Sequence, residues 1–194
     1  MVVGSRSKYR AMEVRDGLVS RWEGRSLAID AADNEGAAAA EVVVIATPWD
    51  AAAATAKSVA RQLQGKVVIS MANALAKVGH EFQPLVPPRG SVAASVQAAV
   101  PRSRVAAALH HVPAKELGDL NGAVESDVLV CSDHPAATET TIDIVSKIPD
   151  LRPLDAGELS NAAPIEAFAA VLLQLNIRYK TRAAVRFTGI NVDH

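Results

Sequence analysis

The chain has 194 residues, a formal net charge of −1 and one cysteine. With about 150 residues as an ordinary domain, that length holds one domain, or one with a small appendage. Apolar residues at 49% and charged residues at 21% exclude wholesale disorder; 20 basic against 21 acidic side chains leave no cationic field for nucleic acid; and a lone thiol, Cys131, excludes a disulfide framework or a thiolate zinc cluster and fits a reducing cytoplasm.

Residues 1–4 read as the tail of a strand. Residues 7–22 read as a helix, with Met12, Val14, Leu18, Val19 and Trp22 on or near one face. Arg6, Lys8 and Arg10 interrupt this start, and no apolar signal-peptide region follows them. The run 41–46 has the continuous apolar character of a strand buried on both faces of a parallel sheet. Pro48 then opens a helix over 49–63, because proline is tolerated in the first turn. Residues 66–70 form the next strand, and 83–90 a loop rich in proline and glycine. A helix over 91–99 precedes strands at 104–109 and 126–131. A helix over 135–148 carries Ile142, Ile144, Val145 and Ile148, and a short strand follows at 152–155. The last helix starts within 161–164 and runs past Leu175. Its apolar residues, Ile165, Phe168, Val171, Leu172, Leu173 and Leu175, cover most of its circumference, so it needs burial on more than one side, within one subunit or against a second. The apolar stretch 167–173 is far shorter than the roughly 20 residues of a membrane span, so a soluble protein without membrane contact is expected.

Alternation of strands and helices predicts an α/β fold with a mostly parallel sheet. Ligands of such sheets sit at the carboxyl ends of the strands. After the first strand stand Ser5, Arg6, Ser7, Lys8 and Arg10. Hydroxyls, a guanidinium fork and further cations there suit the 2′-phosphate of a dinucleotide, where a carboxylate would select the unphosphorylated form. A solvated first helical turn capped by Ser5 or Ser7 is the plainer alternative. Thr47, Pro48 and Trp49 read equally as a helix start and as a cofactor wall. Met71, Ala72 and Asn73 follow the next strand, and small, uncharged residues there let a flat ring approach the backbone closely. His110 and His111, adjacent on an extended segment, point opposite ways and form no chelate. No metal site is expected, and no nucleophile elbow, Walker loop or zinc signature is present.

With these residues placed, the chain resembles the NADPH-dependent F420 reductases, or F420H2:NADP+ oxidoreductases. The matching segments are VVGSR at 2–6, VVVIATPWDAA at 42–52, ALHHVPA at 108–114 and, most distinctive, LRPLDAGELSNA at 151–162. The resemblance implies a Rossmann-like domain over 1–155 and a small C-terminal helical segment over 156–194, in a cytoplasmic homodimer. It implies NADP with its 2′-phosphate near Ser5, Arg6 and Arg10, and Thr47, Pro48, Trp49 and Asn73 along the cofactor path. His110, Pro113 and Ala114 would lie beside the stacked nicotinamide and deazaflavin rings, with Met71 and Ala72 close by. The reaction would be hydride transfer between NADP(H) and the co-substrate coenzyme F420, with no catalytic acid or base. Two alternatives are an NADP-dependent reductase of another substrate and a non-catalytic paralogue acting as a binding partner.

One departure stands out. The family opens with a strand, a GxGxxG turn and a helix, and no GxGxxG occurs in this chain. The expected sheet therefore lacks its first strand, so that residues 2–3 and 42–46 must either pair directly or leave an open ladder. The expectation is that the natural protein starts upstream.

Overall fold

The computed structural model describes residues 1–191. The last three residues of the predicted C-terminal segment, 192–194, lie outside the described residues. Strand β1 (Val2–Ser5) leads into helix α1 (Lys8–Arg21), then β2 (Asp30–Asp33) and the one-turn α2 (Asn34–Ala37). Next come β3 (Val42–Ile45), α3 (Trp49–Ser58), α4 (Ala60–Leu63) and β4 (Val67–Ser70). A hairpin of β5 (Leu75–Val78) and β6 (Glu81–Pro84) precedes α5 (Val92–Ala99), β7 (Arg104–Ala107) and the short α6 (Ala114–Leu117). Then follow β8 (Ser126–Ser132), α7 (Pro135–Ser146), β9 (Leu151–Asp155) and α8 (Ala162–Tyr179).

The main sheet has the order β3-β4-β7-β8-β9. β3, β4 and β7 run parallel, as do β8 and β9, while β7 and β8 are antiparallel. The reversal follows from the connection. Between β7 and β8 stands only the one-turn α6, with no helix to carry the chain back across the sheet. Val68 and Val105 face a core formed with Ala52, Ala56, Leu63, Val92 and Val96. Val67, Ile69 and Ala106 face the other way, onto Val128, Val130, Ala137 and Val145. Side chains of a strand alternate between faces, so β4, buried at every position, feeds both cores.

β1 and β2 form a separate parallel pair. β1 does not pair with β3, so the ladder between them is open. The expectation of a doubly buried strand at 41–46 needs correction accordingly. β3 is an edge strand in which only Ile45 is buried and Val44 is 47% exposed, because among the described residues no strand pairs with its outer side. The predicted apolar face of α1 is corrected in the same way. Ala11 is its only buried residue, and Met12, Val14 and Val19 are exposed. The single helix predicted over 49–63 breaks at Val59, a β-branched residue at φ −118° and ψ 22°. The predicted loop at 83–90 overlaps β6, whose hairpin turns on Gly79 at φ +60°.

Gly4 shows how tightly the β1–β2 unit packs on α2. A Cβ there would stand 2.6 Å from the Ala37 Cβ. Gly4→Ala is expected to lower stability by about 1–3 kcal/mol, the usual range for overpacking, as read from urea denaturation.

Candidate functional site

The first group of predicted residues sits where β1 becomes α1. Ser5 ends the strand and Ser7 is the N-cap of α1, yet its side chain makes no capping hydrogen bond. Arg6, Lys8 and Arg10 are exposed and, among the described residues, none of them enters an ion pair or a side-chain hydrogen bond. Free hydroxyls and three free cations thus stand at the positive end of a helix dipole, a setting for an anion. Beside Ser5 on β2 lies Asp33, whose Oδ1 already accepts the Gly36 N–H at 2.8 Å.

The second group lies along the carboxyl ends of β3, β4 and β7. These ends are level, since Ile45 pairs with Ser70 and Ser70 with Ala107. Thr47 keeps a buried Oγ1 without a partner. Pro48 is exposed, and Trp49 packs half-buried against the first core. Met71 and Ala72 are half-buried. Asn73 ties two strand ends together: its Nδ2 donates to the His110 carbonyl at 2.7 Å, while its buried Oδ1 has no partner.

Leu109, at φ +67°, turns the chain just past β7, and the two histidines that follow diverge. His111 Nε2 lies 2.9 Å from the Asp127 carbonyl. The His110 ring is buried with neither nitrogen bonded, and its Nε2 is 3.8 Å from Glu166 Oε1 on α8. Burial, helped by His111, lowers the His110 pKa to about 3, so the ring is neutral at physiological pH. Pro113 is half-buried, and Ala114, the first residue of α6, is exposed.

Asn73, His110 and Pro113 border one small open cavity of about 70 Å³, lined also by Leu172, Leu173 and Asn176 of α8. Gly4 and Thr47 border another. No lining residue is common to these two cavities. Two wider clefts, of about 470 and 610 Å³, hold none of the predicted residues. Burial raises the Cys131 thiol to about 12, which keeps it protonated and inert.

Sequence reasoning weighed Glu166 only as an acid or base, with Asp155 and Glu158, and gave it no role. Its carboxylate accepts the N–H groups of Val92 and Ala93 at 2.8 and 3.0 Å and so holds the start of α5 against α8. The available signal was its position as the only charge within 162–175. Burial raises its pKa from 4.5 to about 6, with the two N–H donors pulling the other way. An acid whose folded pKa is raised contributes stability below its unfolded value and loses it as the pH rises through the folded one. Comparison of wild type with Glu166→Gln should therefore show their stability difference change by about 2 kcal/mol between pH 4.5 and pH 6, the wild type losing ground as pH rises. Parallel pH profiles from chemical denaturation would refute this.

A mostly parallel sheet, helices on both faces and an anion corner at a strand's carboxyl end define the class of α/β dinucleotide-binding proteins. Consistent with that fold, the structure superimposes with a TM-score of 0.76 on a putative F420-dependent NADP reductase from Arthrobacter sp., at 24% identity over 93% of this chain and 84% of that one. The F420-dependent NADP reductase of Methanocaldococcus jannaschii is 32% identical over 198 aligned positions, covering 99% of this chain and 89% of that protein. Its counterpart from Methanothermobacter marburgensis is 31% identical, over 98% and 88%. The family described as NADP oxidoreductase coenzyme F420-dependent matches residues 1–74. The chain belongs to the F420-dependent NADP reductase family.

The residues fit the dinucleotide unevenly. The unpaired hydroxyls and cations at Ser5–Arg10 suit the phosphorylated ribose, and the buried, unpartnered Thr47 Oγ1 and Asn73 Oδ1 offer polar atoms along the strand ends. No GxGxxG occurs in this sequence, and β1 and β3 belong to separate sheets.

Proposed function

We propose that this chain is an oxidoreductase that exchanges hydride between NADP(H) and the deazaflavin coenzyme F420, with Ser5, Arg6 and Arg10 selecting the phosphorylated dinucleotide. The observation that carries the reading is the alignment with F420-dependent NADP reductases along 99% of the chain. The two coenzymes supply the redox chemistry when bound; the protein's part is orientation and exclusion of water. Asn73 would fix the rim by joining the ends of β4 and β7 through the His110 carbonyl. His110, buried and neutral, would shape that rim from behind and hold no proton in transit. No acid, base or nucleophile is required.

The reading divides the chain into a dinucleotide domain over 1–155 and a helical segment over 156–194. It places the protein in the cytoplasm as a homodimer. The dimer is supported by α8, which buries Ile165, Ala169 and Leu172 while leaving Phe168, Val171 and Leu175 exposed on another face; among the described residues no helix is long and apolar enough to cross a membrane. Val171→Glu should shift sedimentation from dimer to monomer.

The test is anaerobic mixing of the protein with NADPH and F420, followed by the deazaflavin absorbance. Bleaching that requires both protein and NADPH is the expected result. NADPH oxidation by an imine or a metal chelate, but not by F420, would replace this reading with a reductase of another substrate. Failure to bind NADPH at all would favour a non-catalytic partner.

A further inference from the structure

His110 is anchored through its backbone, where its carbonyl accepts from Asn73 Nδ2 at 2.7 Å. Its ring has no such anchor, since both nitrogens are buried without a hydrogen-bond partner. Glu166 Oε1 stands 3.8 Å from Nε2. The His110 side chain is 0% exposed and that of Glu166 5%, so little water screens the pair. The carboxylate is itself held in place, because Oε2 accepts the Val92 N–H and Oε1 the Ala93 N–H.

A neutral imidazole carries a proton on one nitrogen and a lone pair on the other. With the proton on Nδ1, the Nε2 lone pair would face a carboxylate oxygen, and the Nδ1–H would be a buried donor without an acceptor. With the proton on Nε2, an N–H dipole meets the carboxylate and only a lone pair is left bare. The second form is favoured on both counts. The surrounding elements bring no charge that opposes it. α5 and the turn Leu159–Asn161 carry no charged side chain, β6 brings only the exposed Glu81, and Cys131 on β8 stays protonated. His111, next along the chain, is pushed below its ordinary pKa by burial.

We propose that Glu166 is a positioning residue of the strand-end site: its carboxylate holds the buried His110 ring in the single Nε2–H tautomer and so fixes, from the side of α8, the turn that carries Pro113 and Ala114. The tautomer belongs to the pair and needs no coenzyme, whereas its bearing on hydride transfer rests on the reading of the chain as an NADP(H)–F420 oxidoreductase. Protonating Glu166 removes the reason for the preference. Burial places that protonation at about pH 6, so the preference weakens between pH 8 and pH 5.

The test is a long-range proton–nitrogen NMR spectrum of the nitrogen-15-labelled full chain without coenzymes, with the His110 ring assigned through its own backbone. Expected at pH 8 is one neutral Nε2–H ring. Between pH 8 and pH 5 its nitrogens should shift with a midpoint at about 6, yet stop short of imidazolium, because the ring's own pKa is about 3. Glu166→Gln should abolish that step. The same substitution should lower kcat for F420 reduction about tenfold and keep the NADPH KM within about twofold, since it disturbs alignment at the strand ends and leaves the 2′-phosphate corner alone. An Nδ1–H ring or an even mixture at pH 8 in the wild type would overturn the proposal, and that result needs no folded variant. So would a step that persists in Glu166→Gln, or an unchanged kcat where the wild type is active. A wild type inert toward F420 that still shows the Nε2–H ring and its pH step would overturn the hydride-transfer reading and uphold the pairing of Glu166 with His110.

Discussion

Asp127→Ala is expected to lower the unfolding free energy by about 3 kcal/mol, at the lower end of the range for breaking a buried ion pair. The Asp127 side chain is fully buried at the start of β8. It accepts both arms of the Arg152 fork at 2.7 Å, one arm of Arg186 at 3.1 Å and the Phe187 N–H at 2.6 Å. Arg152 also donates to the carbonyls of Phe187 and Ile190, so the segment after α8 is stitched to β8 and β9 through one carboxylate. Removing it leaves the part-buried Phe187 N–H without its acceptor, while the partly exposed guanidinium groups can turn to water, which keeps the loss near 3 kcal/mol rather than 5. Trypsin should then cut faster at Arg182 and Arg186 under native conditions.

The pH dependence has a definite sign. Arg152 first, then Phe187 N–H and Arg186, outweigh burial and hold the Asp127 pKa at about 2 against an ordinary 3.8. A depressed carboxylate contributes stability above its unfolded pKa and loses it as the pH falls through the folded value. The difference between wild type and Asp127→Ala should therefore be full above pH 4 and shrink between 3.8 and 2. A difference that persists undiminished at pH 2 would show that the carboxylate acts through packing instead.

Arg152 belongs to LRPLDAGELSNA, the most distinctive motif in the sequence, and its job is structural. Within the same motif Asp155 accepts the Gly157 N–H, and Leu159 N–H donates to Asp133. Distinctiveness in a sequence marks constraint without saying of which kind. The strands at 66–70 and 126–131 were legible because β4 opens on Val67-Val68-Ile69 and β8 centres on Val128-Leu129-Val130, whereas burial on both faces was expected of β3, which lies at an edge. β2, with the sequence DAAD, was not legible, because it is held by pairing with β1 and has little intrinsic β preference. The α1 face was misread because amphipathic spacing reports what a helix could bury and says nothing of what is there to cover it. The strand-end residues were found by a topological rule. That rule could place Asn73 and His110 but could not foresee that Glu166, 56 positions beyond His110, lies 3.8 Å from its ring.

The arginine corner gives the second large effect. A fragment of the dinucleotide isolates this corner from the rest of the NADPH site. Adenosine 2′,5′-bisphosphate carries the phosphorylated ribose alone, and adenosine 5′-phosphate is its control. Arg6→Glu should weaken the bisphosphate by about 30-fold, near 2 kcal/mol, which is the scale of one charge-assisted hydrogen bond. The control should change little. Arg6→Lys keeps the charge and loses the fork, so it should fall between the two. Because Arg6 is exposed, the effect should shrink as salt shortens the screening length from about 10 Å at 0.1 M to about 3 Å at 1 M. Equal weakening of both ligands would assign Arg6 to the general stability of the α1 start, and the selectivity for the phosphorylated ribose would then have to come from elsewhere in the protein.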